Sequence, residues 1–95
     1  MAVSSEYLDK VRYGVRRNAS VAVNSELTDI IEQCRADLIR MGVAAETAGD
    51  ENNPLVLGCQ RAFARWQFGI NGDEAERNRD DYFRMANELR KSQSA

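Results

Sequence analysis

The amino-acid sequence predicts an all-α fold, a small bundle of four helices with a short N-terminal helix and a flexible C-terminal tail. Apolar residues recur at steps of three and four in four separate segments, which is the period of a helix that buries one face. The single proline and most of the six glycines fall where those segments are expected to begin or end. The longest β-prone run, Val21-Ala22-Val23, is too short to anchor a sheet.

The first helix is predicted from about Ser4 to Tyr13. Ser4 or Ser5 is suited to cap its N-terminus, and Glu6 places a negative charge in the first turn, where it favours the helix dipole. Gly14 is expected to end the helix. The apolar stripe consists of Leu8, Val11 and Val15. Residues 16–20 are then expected to form a polar connection.

The second helix gives the clearest periodic signal in the chain. We expect it to begin at Asn24 or Ser25 and to end at Gly42, with Val43 packing back after the stop. Its apolar stripe consists of Leu27, Ile30, Ile31, Cys34, Leu38 and Met41. Its polar face carries Asp29, Glu32, Arg35 and Asp37.

The third helix follows a segment of small and acidic residues, 44–53, which is predicted to be a loop. Asn53 is suited to cap the helix, and Pro54 at the first helical position loses no hydrogen bond. Gly69 followed by Ile70 is expected to end it. Its apolar stripe consists of Leu55, Cys59, Ala62, Phe63 and Trp66, and periodicity favours a core position for Trp66.

The fourth helix is predicted to begin at Asp73, with Glu76 completing an arrangement similar to a capping box. Its inward residues are expected to be Ala75, Tyr82, Phe83, Ala86 and Leu89. The polar residues from about 90 to 95 offer nothing to bury, and we expect them to form the flexible tail.

Composition restricts the classes of function. A chain of 95 residues forms a single domain, and its net charge of −2 lacks the basic excess typical of a dedicated duplex-DNA binder. No apolar run approaches the roughly 20 residues that span a membrane. The N-terminus lacks the order of a signal peptide, so we expect a protein of the cytoplasm or of an assembly built there.

The sequence predicts no catalytic, cofactor-binding or metal site, and hence not an enzyme. Histidine is absent, so the commonest general base and metal ligand is missing. The two cysteines, Cys34 and Cys59, lie on apolar stripes and are expected to be buried as small hydrophobic residues. The oxygen-rich loop Gly49-Asp50-Glu51-Asn52-Asn53 lacks the ligand spacing of an EF-hand.

Arginine and one aromatic residue are the candidates for partner contacts. Of 13 basic residues, 11 are Arg, which is consistent equally with protein interfaces and with ion pairs inside solvated helices. The pairs Arg16-Arg17 and Arg61/Arg65 offer local positive charge to a nucleic acid. Phe68 lies off the stripe of the third helix and is expected to be partly exposed, as a contact with a partner.

Three groups of residues give the chain a familiar pattern. They are Ser25 to Glu32 with Asp37-Leu38 and Gly42-Val43; Asn53 to Val56 with Phe63, Arg65 and Phe68-Gly69; and Glu76-Arg77 with Tyr82-Phe83. Together with Leu8, Val11 and Arg16, this order over about Tyr7 to Leu89 resembles the phage head–tail connector family. Gln60 and Trp66 depart from the pattern, at positions where an aliphatic and a small residue are expected.

The resemblance implies a structural protein of the virion, assembled in the cytoplasm of the bacterial host and located at the head–tail junction. Many copies, with about twelve as one option, would form a ring beneath the portal protein and receive a stopper or tail-completion protein. The segment Glu88–Ala95 would engage the portal, which makes Glu88, Arg90 and Lys91 candidate contacts. DNA would pass through the lumen without sequence recognition, and neither a cofactor nor a membrane is implied.

Two alternatives remain open on the sequence. One is a DNA-packaging or DNA-binding helical module, related to a small terminase subunit for example, against which the acidic net charge argues. The other is a generic helical protein-interaction domain, which would stay monomeric at all concentrations.

Overall fold

The computed structural model describes residues 3–15, 20–69 and 74–93, and within these ranges the chain contains no strand. The helices are α1 (Ser5–Val15), α2 (Val21–Arg40), α3 (Ala45–Ala48), α4 (Pro54–Phe68) and α5 (Ala75–Gln93). The predicted all-α bundle is therefore confirmed, with one additional short helix. No helix in these ranges is long and apolar enough to cross a membrane.

Helix α1 begins as predicted but ends later. The Ser4 hydroxyl accepts a hydrogen bond from the Tyr7 amide at 3.1 Å, which caps the first turn. The predicted stop at Gly14 is wrong, because the helix continues through Val15 and buries it. The predicted polar connection lies, except for Ser20, outside the described residues.

Helix α2 begins one turn earlier than predicted. Ser20 is the cap, since its hydroxyl accepts from the Val23 amide at 3.1 Å, and the β-prone run 21–23 forms the first helical turn. The predicted start at Asn24 or Ser25 is therefore wrong. The stop at Gly42 is confirmed: Gly42 has a φ of 106°, and the Val43 amide donates to the Leu38 carbonyl at 2.9 Å.

The segment between α2 and α4 is more ordered than the predicted loop. Helix α3 occupies Ala45–Ala48 and buries Ala48. Helix α4 begins as predicted, with the Asn53 side chain accepting from the Leu55 amide at 2.9 Å and Pro54 in the first turn. It also ends as predicted, at Gly69 in the left-handed conformation with a φ of 64°.

Helix α4 is the centre of the bundle and packs against α1, α2 and α5. The buried core matches most of the predicted stripes and includes Val43, which was expected to pack back after Gly42. It adds Tyr7, Ala48, Val56 and Ala64. Trp66 and Phe68 are half-buried and pack against this core. Two predicted core positions are wrong: Leu55 is 56% exposed and Phe83 is 40% exposed, because each lies at the margin of the contact between α4 and α5.

Helix α5 is helical as far as Gln93. Residues 90–93, interpreted from the sequence as the start of a flexible tail, therefore continue the helix. The helix continues because Leu89 is buried and Arg90 is half-buried, so this turn is in contact with the rest of the protein. The predicted start at Asp73 and the final residues 94–95 lie outside the described residues.

Candidate assembly surfaces

An open groove runs between the first half of α4 and the second half of α5. It has a volume of about 370 Å³. Its walls are mainly apolar and are formed by Pro54, Leu55, Gly58, Met85 and Leu89, with Arg84, Glu88 and Ser92 completing the lining. We call this feature the α4–α5 groove. An exposed concave surface of mainly apolar side chains is typical of contact sites between proteins.

The groove is open because Gly58 on α4, which has no side chain, faces the flexible side chain of Met85 on α5. A methyl group added at Gly58 would meet the Met85 sulfur at 3.9 Å, an ordinary contact distance, so the missing side chain leaves room at this point. Leu55 stands in the first turn of α4 and remains more than half exposed. Methionine adapts its shape readily, so Met85 can repack around an inserted side chain.

The charged side chains at the margin of the groove form only long, solvent-exposed ion pairs. Arg84 lies 3.7 Å from the Asp81 carboxylate and 3.5 Å from that of Glu88, and its side chain is 58% exposed. Exposed pairs at such distances contribute little to stability. The Arg84 guanidinium is therefore able to exchange these contacts for a closer carboxylate supplied by another chain.

A second surface lies on the outer side of α2. Glu26, Asp29 and Glu32 are exposed there, and no ion pair joins any of them to another described residue. The apolar side chains of Val21 (89% exposed) and Ile39 (42% exposed) lie near the two ends of the helix. We call these five residues the α2 acidic face. Because α2 packs on α4 through its other side, this face points away from the core.

The predicted partner contacts fall into three groups. Glu88 and Lys91 are exposed, and Glu88 lines the α4–α5 groove. Phe68 and Arg90 are half-buried: Phe68 packs against the core, while Arg90 lies against Gly42 and donates to the Asn87 side chain at 2.8 Å. The remaining two candidates, Arg16 and Arg17, lie outside the described residues.

Arg61 and Arg65, considered from the sequence as contacts for nucleic acid, bind backbone carbonyls of α1 instead. Arg61 donates through two nitrogens to the Lys10 carbonyl, each at 3.1 Å. Arg65 donates to the Gly14 carbonyl at 2.9 Å. Gly14 lies in the last turn of α1, where carbonyls lack partners inside the helix and carry the negative end of its dipole, whereas Lys10 lies in the middle of the helix. Both arginines therefore fasten α1 to α4.

The oxygen-rich loop is also used within the fold. The Glu51 carboxylate accepts from the Ser4 amide at 3.0 Å and from the Ser4 hydroxyl, and pairs with Arg35 at 3.2 Å. Arg35 is only 4% exposed, so its predicted place on the polar face of α2 is wrong; its guanidinium lies over the Tyr7 ring at 5.8 Å. Within the described ranges no three candidate ligands come together as a metal site.

The contacts with Ser4 and Arg35 set the ionisation of the Glu51 carboxyl group. Partial burial raises the pKa of its carboxyl group, but the hydrogen bonds from Ser4 and the contact with Arg35 favour the charged form and hold the pKa below its ordinary value. The carboxylate thus stays charged at neutral pH and ties the start of α1 to α2.

The two cysteines are buried, as predicted. Burial raises the pKa of the Cys59 thiol to about 11 and moves that of Cys34 in the same direction. A thiol attacks as its thiolate, so a raised pKa lowers the reactive fraction at neutral pH. Both side chains pack as small apolar groups between α2 and α4.

The sequence patterns did not predict that Leu55, Met85 and Phe83 lie at the surface. Leu55 and Phe83 were placed in the core because they fit the helical period; Met85 lies one residue before the buried Ala86 and gave no signal. Phe83 lies 6.0 Å from the Trp66 ring and 5.3 Å from the Tyr82 ring. It forms the outer edge of an aromatic cluster. The position of a residue at the margin of a helix face depends on the neighbouring helix, which the period does not describe.

No family model, curated protein or solved structure matches the chain.

Proposed function

We propose that this protein is a head–tail connector subunit, a structural component that forms a ring beneath the portal of a phage capsid. The observation that carries the proposal is the presence of two unlike surfaces on one small helical body. The α4–α5 groove is concave and mainly apolar, whereas the α2 acidic face is exposed and carries three acidic side chains. A closed ring with one subunit type requires such a head-to-tail contact, in which each subunit presents two different surfaces.

The shape of the subunit suits this role. Its principal extents are 39 × 31 × 19 Å, so many copies side by side would enclose a channel without any single copy needing a deep cavity. The resemblance of the sequence to head–tail connectors supplies the biological setting. In that setting the end of α5 and the residues after it engage the portal, and the opposite side of the ring receives a stopper or tail-completion protein.

The contacts that several arginine side chains make inside the fold favour an assembly role over DNA binding. Arg61 and Arg65 bind the carbonyls of α1, and Arg35 is buried against Tyr7 and Glu51. The exposed charged residues of α2 are three acids, Glu26, Asp29 and Glu32, and one base, Arg40. A surface of this kind suits passage of DNA through a lumen rather than retention of the duplex, because affinity for DNA comes largely from neutralised phosphates.

The proposal is tested by native mass spectrometry of the purified chain over a concentration series, with negative-stain images of the same samples. We expect closed rings, either from the chain alone or on addition of portal rings from the genome that encodes it. A chain that forms no ring and binds no portal would contradict the proposal and favour a generic interaction domain. A salt-dependent gel shift of duplex DNA by the unassembled chain would favour the DNA-binding alternative.

A further inference from the structure

We infer that the α2 acidic face of one subunit docks against the α4–α5 groove of the next copy of this chain. The inference deepens the proposed ring and rests on it, because it names the two surfaces that meet at each contact. It is drawn from charge, exposure and helix geometry within the described residues.

Charge is the first argument. At the α5 margin of the groove, the basic residues Arg84 and Lys91 stand on either side of one acidic residue, Glu88, whereas Arg90 lies on the other side of the helix against Gly42. Arg84 and Lys91 are seven residues apart, so they lie on the same side of the helix about 10.5 Å from each other. The groove is thus an apolar surface with positive charge along one margin.

The unpaired acids of α2 supply the second argument. Glu26, Asp29 and Glu32 follow each other at three-residue steps, which places like charges side by side on the helix. Neighbouring like charges destabilise a helix slightly, and no described basic residue compensates them. The nearby arginines are committed elsewhere: Arg35 to Glu51, and Arg40 to Asp37 at 2.7 Å. Positive charge from a second copy would relieve the repulsion.

The dimensions of the two surfaces agree. The acidic run from Glu26 to Glu32 covers six residues and therefore about 9 Å along α2, close to the separation of Arg84 and Lys91 on α5. Glu32 and Ile39 line the same shallow depression on one side of α2. The exposed Ile39 is therefore placed to bury its side chain against the apolar wall of the groove while Glu32 faces Arg84.

The contact would be head to tail. The groove and the acidic face share no residue, so a subunit that uses one of them keeps the other free for a third copy. Such a contact extends from subunit to subunit until the ring closes. It also places Glu88 and Lys91 at the boundary between subunits.

Two substitutions block one surface each. Glu32→Arg reverses a charge on the α2 acidic face, and Leu55→Glu places a charge in the groove; both residues are exposed, so the fold should be kept. We expect each variant alone to associate at least about tenfold more weakly than the wild type by native mass spectrometry and sedimentation. Glu46→Arg and Arg77→Glu reverse exposed charges outside both surfaces and should assemble as the wild type does.

The decisive measurement mixes the two blocked variants. The intact acidic face of the Leu55→Glu chain can dock into the intact groove of the Glu32→Arg chain, so the mixture should form one-to-one dimers that neither variant forms alone. Absence of these dimers, or single variants that assemble like the wild type, would overturn the surface assignment while leaving a ring intact. If the wild type assembles only on portal rings, incorporation of the same variants and their mixture there is scored in the same way.

The same experiments distinguish a wrong docking contact from a wrong assignment of the protein as a connector. Mixed dimers together with wild-type chains that grow open, never close and do not bind the portal would support the docking contact and contradict the connector. Loss of portal binding by Leu55→Glu, with self-association unchanged, would assign the groove to the portal and overturn the inference. A wild type that stays monomeric both alone and with the portal would overturn both.

Discussion

The hydroxyl of Tyr82 donates a hydrogen bond to the carboxylate of Asp37 at 2.7 Å, joining α5 to α2 across 45 residues of chain. The Tyr82 side chain is fully buried, with its ring 5.0 Å from that of Phe63. The other carboxylate oxygen of Asp37 accepts from Arg40. This contact connects two helices that otherwise meet mainly through α4, so it helps to set the position of α5 and hence of the groove.

Removal of that hydroxyl should destabilise the fold measurably. We expect Tyr82→Phe to lower the free energy of unfolding by about 1.5–3 kcal/mol, the range for a hydrogen bond to a charged group, since the ring itself stays in place. Urea denaturation followed by circular dichroism measures the change. Tyr13→Phe is the matched control, because Tyr13 is 68% exposed and should change stability little. Equal effects of the two substitutions would contradict the structural role of the bond.

Leu38 and Ile39 are adjacent in sequence but differ in burial, which allows a paired test. Leu38 is fully buried, and we expect Leu38→Ala to cost about 2–5 kcal/mol through lost burial and the cavity that remains. Ile39 is 42% exposed, so Ile39→Ala should cost less than about 1 kcal/mol. Unfolding midpoints of both variants in one denaturant series give the comparison. A loss under about 1 kcal/mol for Leu38→Ala would show that the core face of α2 is misplaced.

Two helical glycines should respond in opposite directions to alanine. A methyl group at Gly14 would lie 2.7 Å from Cγ of Arg61, so Gly14→Ala must displace the side chain that binds the Lys10 carbonyl. We expect a loss of about 1 kcal/mol despite the better helix propensity of alanine. Gly58→Ala meets only the Met85 sulfur at 3.9 Å and should gain up to about 1 kcal/mol. Thermal unfolding measures both, and a stabilising Gly14→Ala would contradict the close packing of Arg61.

The contact of Glu51 with Ser4 and Arg35 predicts a stability change at acid pH. The pKa of Glu51 is lowered in the folded protein, so its contribution is present above the ordinary value of 4.5 and is lost as the pH falls below it. Glu51→Gln should lower stability at pH 7 by about 1–2 kcal/mol and have a smaller effect near pH 3. Urea midpoints between pH 3 and 7 test this, with Glu46→Gln on the exposed side of α3 as control. A pH-independent loss would contradict the role of the charge.

At alkaline pH the fold should lose stability because four buried groups resist losing a proton. Burial raises the pKa of Cys34, Cys59, Tyr7 and Tyr82 above their ordinary values of 9.0 for thiols and 10.0 for phenols. The unfolded chain therefore releases these protons first, and unfolding becomes more favourable as the pH rises from about 9 to 11. Urea midpoints over this range should fall, and less steeply in Cys59→Ala. Midpoints that stay constant to pH 11 would contradict the burial of these groups.

Local chemistry predicted the ends of the helices where a single residue decides them. Gly42, Asn53-Pro54 and Gly69 all act as the sequence indicated, because a left-handed glycine and a proline restrict the backbone without help from the rest of the fold. The start of α2 was missed because two capping candidates compete: Ser20 begins the helix one turn before Asn24 or Ser25. Either position satisfies the local rule, and the choice between them is not local.

The sequence by itself determined the class of fold and most of the core, since the helical period requires an apolar stripe to be buried whatever it packs against. Tertiary structure alone decided what lies at the margins of those stripes. Arg35 became buried because Glu51 and Tyr7 surround it, whereas Leu55 on α4 and Phe83 on α5 stayed exposed because each lies at the margin of the contact between these two helices. The α4–α5 groove contains such marginal residues, and their exposure depends on how neighbouring helices meet.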